Sequence, residues 1–224
     1  MKQVLGSEAA GLLPLPNGFV IITKSIDGEK EKVGFKLISF DTYTMSTVSR
    51  KVFMLAKFGQ NYPAFEMQVE DPVFCKVALL PDGRVFTATQ DGRAKVMDEN
   101  GYVTWQGTLR YNGQAADEIA VDGYDLWASF SNSNAIIYFN MRTMREELRI
   151  GGPDTKSLIC GPEGIWLTSH NSMLVCNSGS NNILEINLKD YTVSVYAEFN
   201  EPVHKFIKVN SNELVLLDSG VYRI

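Results

Sequence analysis

The chain has little of what announces a chemistry. Its 224 residues include two histidines and three cysteines. No pair of these stands at CxxC or Cys/His zinc spacing, which excludes the usual tetrahedral zinc sites. The odd cysteine count, spread over Cys75, Cys160 and Cys176, excludes a disulfide framework. Each cysteine sits among apolar neighbours and reads as a small core residue in a reducing compartment. Phosphate-cradling loops of the GxGxxG or GxxxxGK type are missing; "RIGGPDTKS" (149–157) has a lysine but no Gly-Lys-Ser/Thr. There is no GxSxG nucleophile elbow, and "NSGSN" (177–181) falls in a hairpin. Long apolar runs are absent too: "FVII" and "VALL" are far too short to span a bilayer. The opening "MKQVLGSEAAGLLPLPNG" has one lysine and no sustained apolar stretch, so it does not read as a secretory signal. The expectation is a soluble, cytoplasmic chain with no membrane contact. A net charge of −5 argues against a nucleic-acid surface. No segment shows a sustained helical period of apolar residues.

What the chain does have is repetition. A hydrophobic content of 45% and a charged content of 21% are ordinary for a globular protein, and residues 1–224 are expected to form a single domain. "ASFSNSNAIIYFNMRT" (128–143) aligns without a gap to "VCNSGSNNILEINLKD" (175–190), 47 residues later. "EGIWLTSHNSMLVCNSG" (163–179) aligns in the same way to "HKFIKVNSNELVLLDSG" (204–220), and "LLPLPNGFVIIT" (12–23) to "VALLPDGRVFTA" (77–88). These make five units, with second strands beginning near Val20, Val85, Leu126, Met173 and Leu214. The spacings are 65, 41, 47 and 41 residues, and three of them suit a four-stranded propeller blade. The excess in the first falls to the hairpin "SIDGEKEKVG" (25–34) and the connection "FGQNYPAFEMQVEDP" (58–72).

Each unit runs from an unbroken apolar second strand such as "MLVC" to a charged fourth strand such as "REELRI" (145–150) or "SRKVFML" (49–55). Cover on both faces explains the first, and an outer edge protected by charge explains the second. The fifth unit stops after three strands, and "KQVL" (2–5) is a lone strand ahead of the first unit. If it fills the vacant outer position, head and tail share one blade. The fold class expected is all-β, a five-bladed β-propeller. The alternative is six blades with one degenerate, "FEMQV" (65–69) being one of its strands.

Residues 161–199, and more weakly 117–140, resemble the NHL-type repeat and the blades of virginiamycin B lyase-like propellers. The resemblance implies a β-propeller and no single function. No Trp-Asp dipeptide ends a blade and the one Gly-Gly pair is Gly151–Gly152, which counts against the tryptophan–aspartate and kelch types; the Trp-Gly signature of five-bladed lectins is also missing.

Turns between second and third strands should lie on one face, around the mouth of the axial channel. They place Asp91, Asn132, Asn134, Asn177, Asn181 and Asp218 in a polar crown able to hold a sugar or a divalent cation such as Ca²⁺. The same residues are also what tight turns require. His204 joins them, because connections between blades reach the mouth; His170 lies in the turn "SHNS". "GPEGIW" (161–166) is faintly similar to the acidic motif of gluconolactonase-like propellers, which implies Glu163 as a weak metal candidate, with Asn181 and Asp218 supplying the rest by analogy alone. The function expected is a noncatalytic, monomeric binding module presenting a polar loop face to a protein or small polar ligand. The alternatives are a metal-dependent hydrolase or lyase of the gluconolactonase or virginiamycin B lyase-like type, and a sugar-binding lectin.

Overall fold

Short apolar strands broken by Gly, Asn and Asp turns have one economical solution, the antiparallel meander. The computed structural model describes residues 1–224 except Met144, Asp154, Thr155, Ser169 and His170; the candidate His170 therefore lies outside the described residues. β1 spans Lys2–Leu5. Then β2 (Ala9–Leu15), β3 (Gly18–Asp27), β4 (Lys30–Ser39) and β5 (Met45–Thr47) form blade 1. Two helices follow, α1 (Arg50–Phe58) and α2 (Tyr62–Glu66). Blade 2 is β6 (Lys76–Leu79), β7 (Val85–Ala88), β8 (Arg93–Met97) and β9 (Val103–Thr108). A small ribbon, β10 (Arg110–Tyr111) with β11 (Gln114–Ala115), leads to blade 3: β12 (Glu118–Asp122), β13 (Asp125–Phe130), β14 (Ala135–Asn140) and β15 (Arg145–Gly151). Blade 4 is β16 (Pro162–Leu167), β17 (Ser172–Asn177), β18 (Asn182–Asn187) and β19 (Val193–Glu198). Blade 5 combines β20 (Val203–Val209), β21 (Asn212–Leu217) and β22 (Gly220–Arg223) with β1. The protein is a five-bladed β-propeller.

The ring is closed by its two ends. β1 pairs antiparallel with β22, Lys2 opposite Arg223 and Gln3 opposite Tyr222. Gly220 makes the approach possible: at φ 135° it adopts backbone geometry that side chains resist, and an added Cβ would lie 2.1 Å from the Leu5 carbonyl oxygen.

Burial follows the seams between blades. One buried cluster fills each seam: Phe86, Leu126 and Phe130 between blades 2 and 3, Ile136, Met173 and Val175 between 3 and 4, Leu174, Phe206 and Val215 between 4 and 5, and Phe19, Ile21 and Leu214 between 5 and 1. All six residues of β17 are buried, as are all four of β7. A strand covered on both faces has no need of alternation. The outer strands are exposed, with Arg145, Glu146 and Glu147 on β15 and a three-residue β5, both of which discourage edge-to-edge pairing.

The seam between blades 1 and 2 departs from the sequence expectation. Residues 49–55 form no fourth strand; β5 takes that place and the segment is helical. Ser49 caps α1 by accepting a hydrogen bond from the Val52 N–H at 3.4 Å, and Gly59, at φ 75°, ends it with its N–H on the Leu55 carbonyl. The apolar run that resembles a strand divides on the helix: Phe53, Met54 and Phe58 are buried against Val20, Phe35, Val85 and Met97, while Val52 and Leu55 face outward. Phe53 stacks on Phe35 with ring centroids 4.3 Å apart. Residues 65–69 are the end of α2 and a turn, with Phe65 buried in the same cluster, so the degenerate sixth blade does not exist. The innermost strands sit side by side at four seams, β6 with β12, β12 with β16, β16 with β20 and β20 with β2. β2 and β6 make little contact, and the helical insertion fills the gap between them.

Candidate functional site

Strand direction alternates within each blade. The starts of the innermost strands, the turns between second and third strands and the connections between blades therefore share one end of the ring. At that end the axis opens into a cavity of about 320 Å³. Every blade contributes to its wall. Its polar lining is Lys57 from α1, Lys76 from β6, Asp117 and Glu118 at the start of β12, Glu163 from β16, and His204 and Lys205 from β20.

Register irregularities aim several of these groups. The ladder of β16 on β17 slips between Pro162 and Ile165, and that of β20 on β21 slips between Val203 and Lys205. The extra residues include Glu163 and His204. A bulge turns a side chain out of the pleat, and here it turns two toward each other across the seam. Gly164 lets the strands approach; an added Cβ would lie 2.7 Å from the His204 carbonyl oxygen and 3.0 Å from the Lys205 Cα. Ser129, fully buried on β13, fixes the next seam: its hydroxyl donates to the Glu163 carbonyl oxygen and accepts from the Glu118 N–H at 3.1 Å.

His204 lies between two carboxylates, Nδ1 at 2.9 Å from Glu163 Oε2 and Nε2 at 2.7 Å from Asp218 Oδ1. The Glu163 contact, with Asp218 second among the partners, raises its pKa to about 9 against the opposing effect of burial. Both ring nitrogens thus carry protons near neutrality. Lys205 pairs with Glu118 while keeping 23% of its side-chain surface exposed. Burial draws the Lys205 pKa down, with Lys57 and Lys76 adding repulsion; the Glu118 carboxylate works the other way. Burial also lowers Lys57 to about 8 and lowers Lys76. Asp117 is pushed up, again chiefly by burial.

The crown residues take up varied positions. Asp91 is exposed and held by Thr89 and by Arg93, whose Nε donates to Oδ2 at 2.7 Å; those contacts keep its carboxyl below the ordinary range. Asn132 is exposed in the 3₁₀ turn Ser131–Ser133. Asn134 and Asn181 each close such a turn in the left-handed region, at φ 48° and 55°. That requirement accounts for the aligned Ser-Asn pairs of the two repeats. Asn134 also accepts a hydrogen bond from the Gly161 N–H at 2.8 Å, tying blade 3 to the start of blade 4. Asn177 is fully buried, accepting from the Cys160 N–H at 2.6 Å and donating to the Leu158 carbonyl at 3.1 Å. Of the residues singled out for the channel mouth, His204 lines the cavity and Asp218 reaches it through His204. Among the metal candidates, Glu163 and Asp218 lie on opposite nitrogens of His204, and Asn181 sits in the turn above β18. Among the described residues no group of three or more His, Cys, Asp and Glu side chains is arranged to hold a metal ion. Cys75 and Cys176 are buried and Cys160 is half-buried, all three as free thiols.

Sequence reasoning missed Lys57, Lys76, Asp117, Glu118, Ser129 and Lys205. A signal was present for four of them: "CKV" (75–77), "DEI" (117–119) and "VHKF" (203–206) each set polar residues at the start of an innermost strand. Lys57 had none, because its helix was read as a strand.

No protein-family model matches the chain, and no curated protein matches it. Solved structures do. A computationally designed protein, Ika4, superposes with a TM-score of 0.50 at 10% identity, over 66% of this chain and 88% of its own. The WD40 repeats of RRP9 superpose with a TM-score of 0.51 at 10% identity, over 66% of this chain and 49% of theirs. Likeness at this identity speaks for architecture alone, and the architecture is the β-propeller.

Proposed function

We propose that this propeller is a noncatalytic binding module that takes a small polar ligand at the mouth of its axial channel. The observation that carries the reading is convergence. Seven acidic or basic side chains from four blades and one helix meet around a single cavity, at the end of the ring where a propeller can change its loops without disturbing its seams. A cavity of about 320 Å³ suits a small molecule better than a protein segment. His204 supports a binding role over hydrolysis, because an imidazolium clamped between two carboxylates has no free lone pair with which to accept a proton near neutrality. The repeats are read as NHL-like on their turn residues, a class that serves binding and catalysis alike.

The test is a thermal-shift screen of small polar compounds (sugars, amino acids, organic acids, phosphate esters) against the wild-type chain, Lys76→Gln and Lys205→Gln. Compounds that raise the Tm of the wild type and lose most of that effect in at least one variant are expected. Responses equal in all three proteins, or turnover of a responding compound, would overturn the reading.

A further inference from the structure

The pairing of charges around the cavity is uneven. Its carboxylates are occupied. Asp117 Oδ2 accepts from the Ser131 N–H at 2.6 Å and from Gln114 Nε2 at 2.8 Å. Glu118 pairs with Lys205 and accepts from the Ile119 N–H at 3.1 Å. Glu163 is taken by His204. Two of the ammonium groups have no such counterpart. Lys57 Nζ donates to the Val73 carbonyl oxygen at 2.6 Å, lies 5.8 Å and 6.0 Å from the ring centroids of Phe53 and Phe58, and makes no ion pair among the described residues; Cys75 and, less, Asp71 act on it from farther away. Lys76 Nζ makes neither a hydrogen bond nor an ion pair among the described residues, and Asp117 acts on it at a distance. Lys57, Lys76 and Lys205 also lie close enough to repel one another. Half-buried ammonium groups that line one cavity and repel each other, with the local carboxylates already engaged, lack an anion.

Resting on the channel reading above, we infer that the ligand is a small organic oxyanion, a carboxylate or phosphate held between Lys57 and Lys76. Apolar residues lining the same cavity, Phe53, Val73, Val77 and Leu216, accommodate a short carbon skeleton beside the charged group. Lys57 enters the site only through α1, so the insertion that fills the seam between blades 1 and 2 also supplies half of the anion clamp. The ammonium of Lys57 donates to one carbonyl, which leaves two of its protons for a ligand.

The experiment compares malonate, inorganic phosphate and the neutral malonamide, at constant ionic strength, by thermal shift and calorimetric titration. The proteins are the wild type, Lys57→Gln, Lys76→Gln and the exposed surface control Lys189→Gln. Malonate or phosphate is expected to bind the wild type and the control alike, at least ~10-fold more weakly to either channel variant, and malonamide not to bind; a preference between malonate and phosphate separates the carboxylate from the phosphate source. Without ligand, Lys76→Gln is expected to melt no lower than the wild type, because it removes a repelled charge, and this shows that lost binding is not lost folding. The inference is overturned if malonamide binds as well as malonate, or if the anions bind Lys57→Gln and Lys76→Gln undiminished. Protection by neutral polar compounds that depends on Lys205 would also overturn it while leaving the channel reading intact; responses that none of Lys57→Gln, Lys76→Gln and Lys205→Gln diminishes would remove both.

Discussion

At the scale of single residues, His204 joins blades 4 and 5 and its charge state sets the strength of the joint. Its folded pKa, raised to about 9 from 6.5, makes a stabilising contribution that is complete below pH 6.5 and lost as pH rises through 9. Lys57 runs the other way. Lowered from 10.5 to about 8, it releases its proton in the folded chain before the unfolded one does, so its contribution becomes more favourable between pH 8 and 10.5. The histidine is therefore read by difference. Denaturant unfolding of wild type and His204→Gln should show a gap of about 1–2 kcal/mol at pH 6, discounted for the exposed Asp218, closing by pH 10. A gap independent of pH would mean that packing and not charge joins the blades here. Asn134 offers a second test. Asn134→Gly keeps the left-handed turn and loses the bond to Gly161, costing about 1 kcal/mol. Asn134→Ala adds backbone strain and should cost about 2–3 kcal/mol by the same assay.

At the scale of elements, the blades could be read in the sequence where each strand had one environment. Val85, Leu126, Met173 and Leu214 all fall at or near the start of a second strand, because a strand buried on both faces is an uninterrupted apolar run that little else imitates. β17 contains the expected run "MLVC" for the same reason. α1 was not legible because Val52 to Leu55 is apolar throughout, which hides a helical period inside a strand-like run. Its two ends were legible: Ser49 and Gly59 are start and stop signals that the apolar run outweighed. The site was legible only in part. Turn residues advertise themselves by type, and φ by itself is enough to demand that type at Asn134 and Asn181 without any ligand. The channel-lining lysines look like any surface lysine until bulges and a helix bring them onto one axis. Recognising Glu163 and His204 as partners would have required knowing where β16 and β20 slip in register.

At the scale of the whole molecule, stability should depend on closure more than on any one blade, since each seam core draws residues from both of the blades it joins. Removing residues 1–5 bares the edge of β22 and uncovers Val221. The shortened chain is expected to melt at least ~10 °C lower than the full one and to self-associate in size-exclusion chromatography. A monomer melting within a few degrees of the full chain would show that β20, β21 and β22 close the ring unaided.

The register that seals the ring also decides how it yields to force. Lys2 faces Arg223, so the two chain ends emerge side by side from one corner of blade 5. Tension applied through them loads the β1–β22 ladder like a zipper, one bonded pair after another, instead of shearing all its rungs together. The protein is built to be thermally shut and mechanically soft at a single, known point.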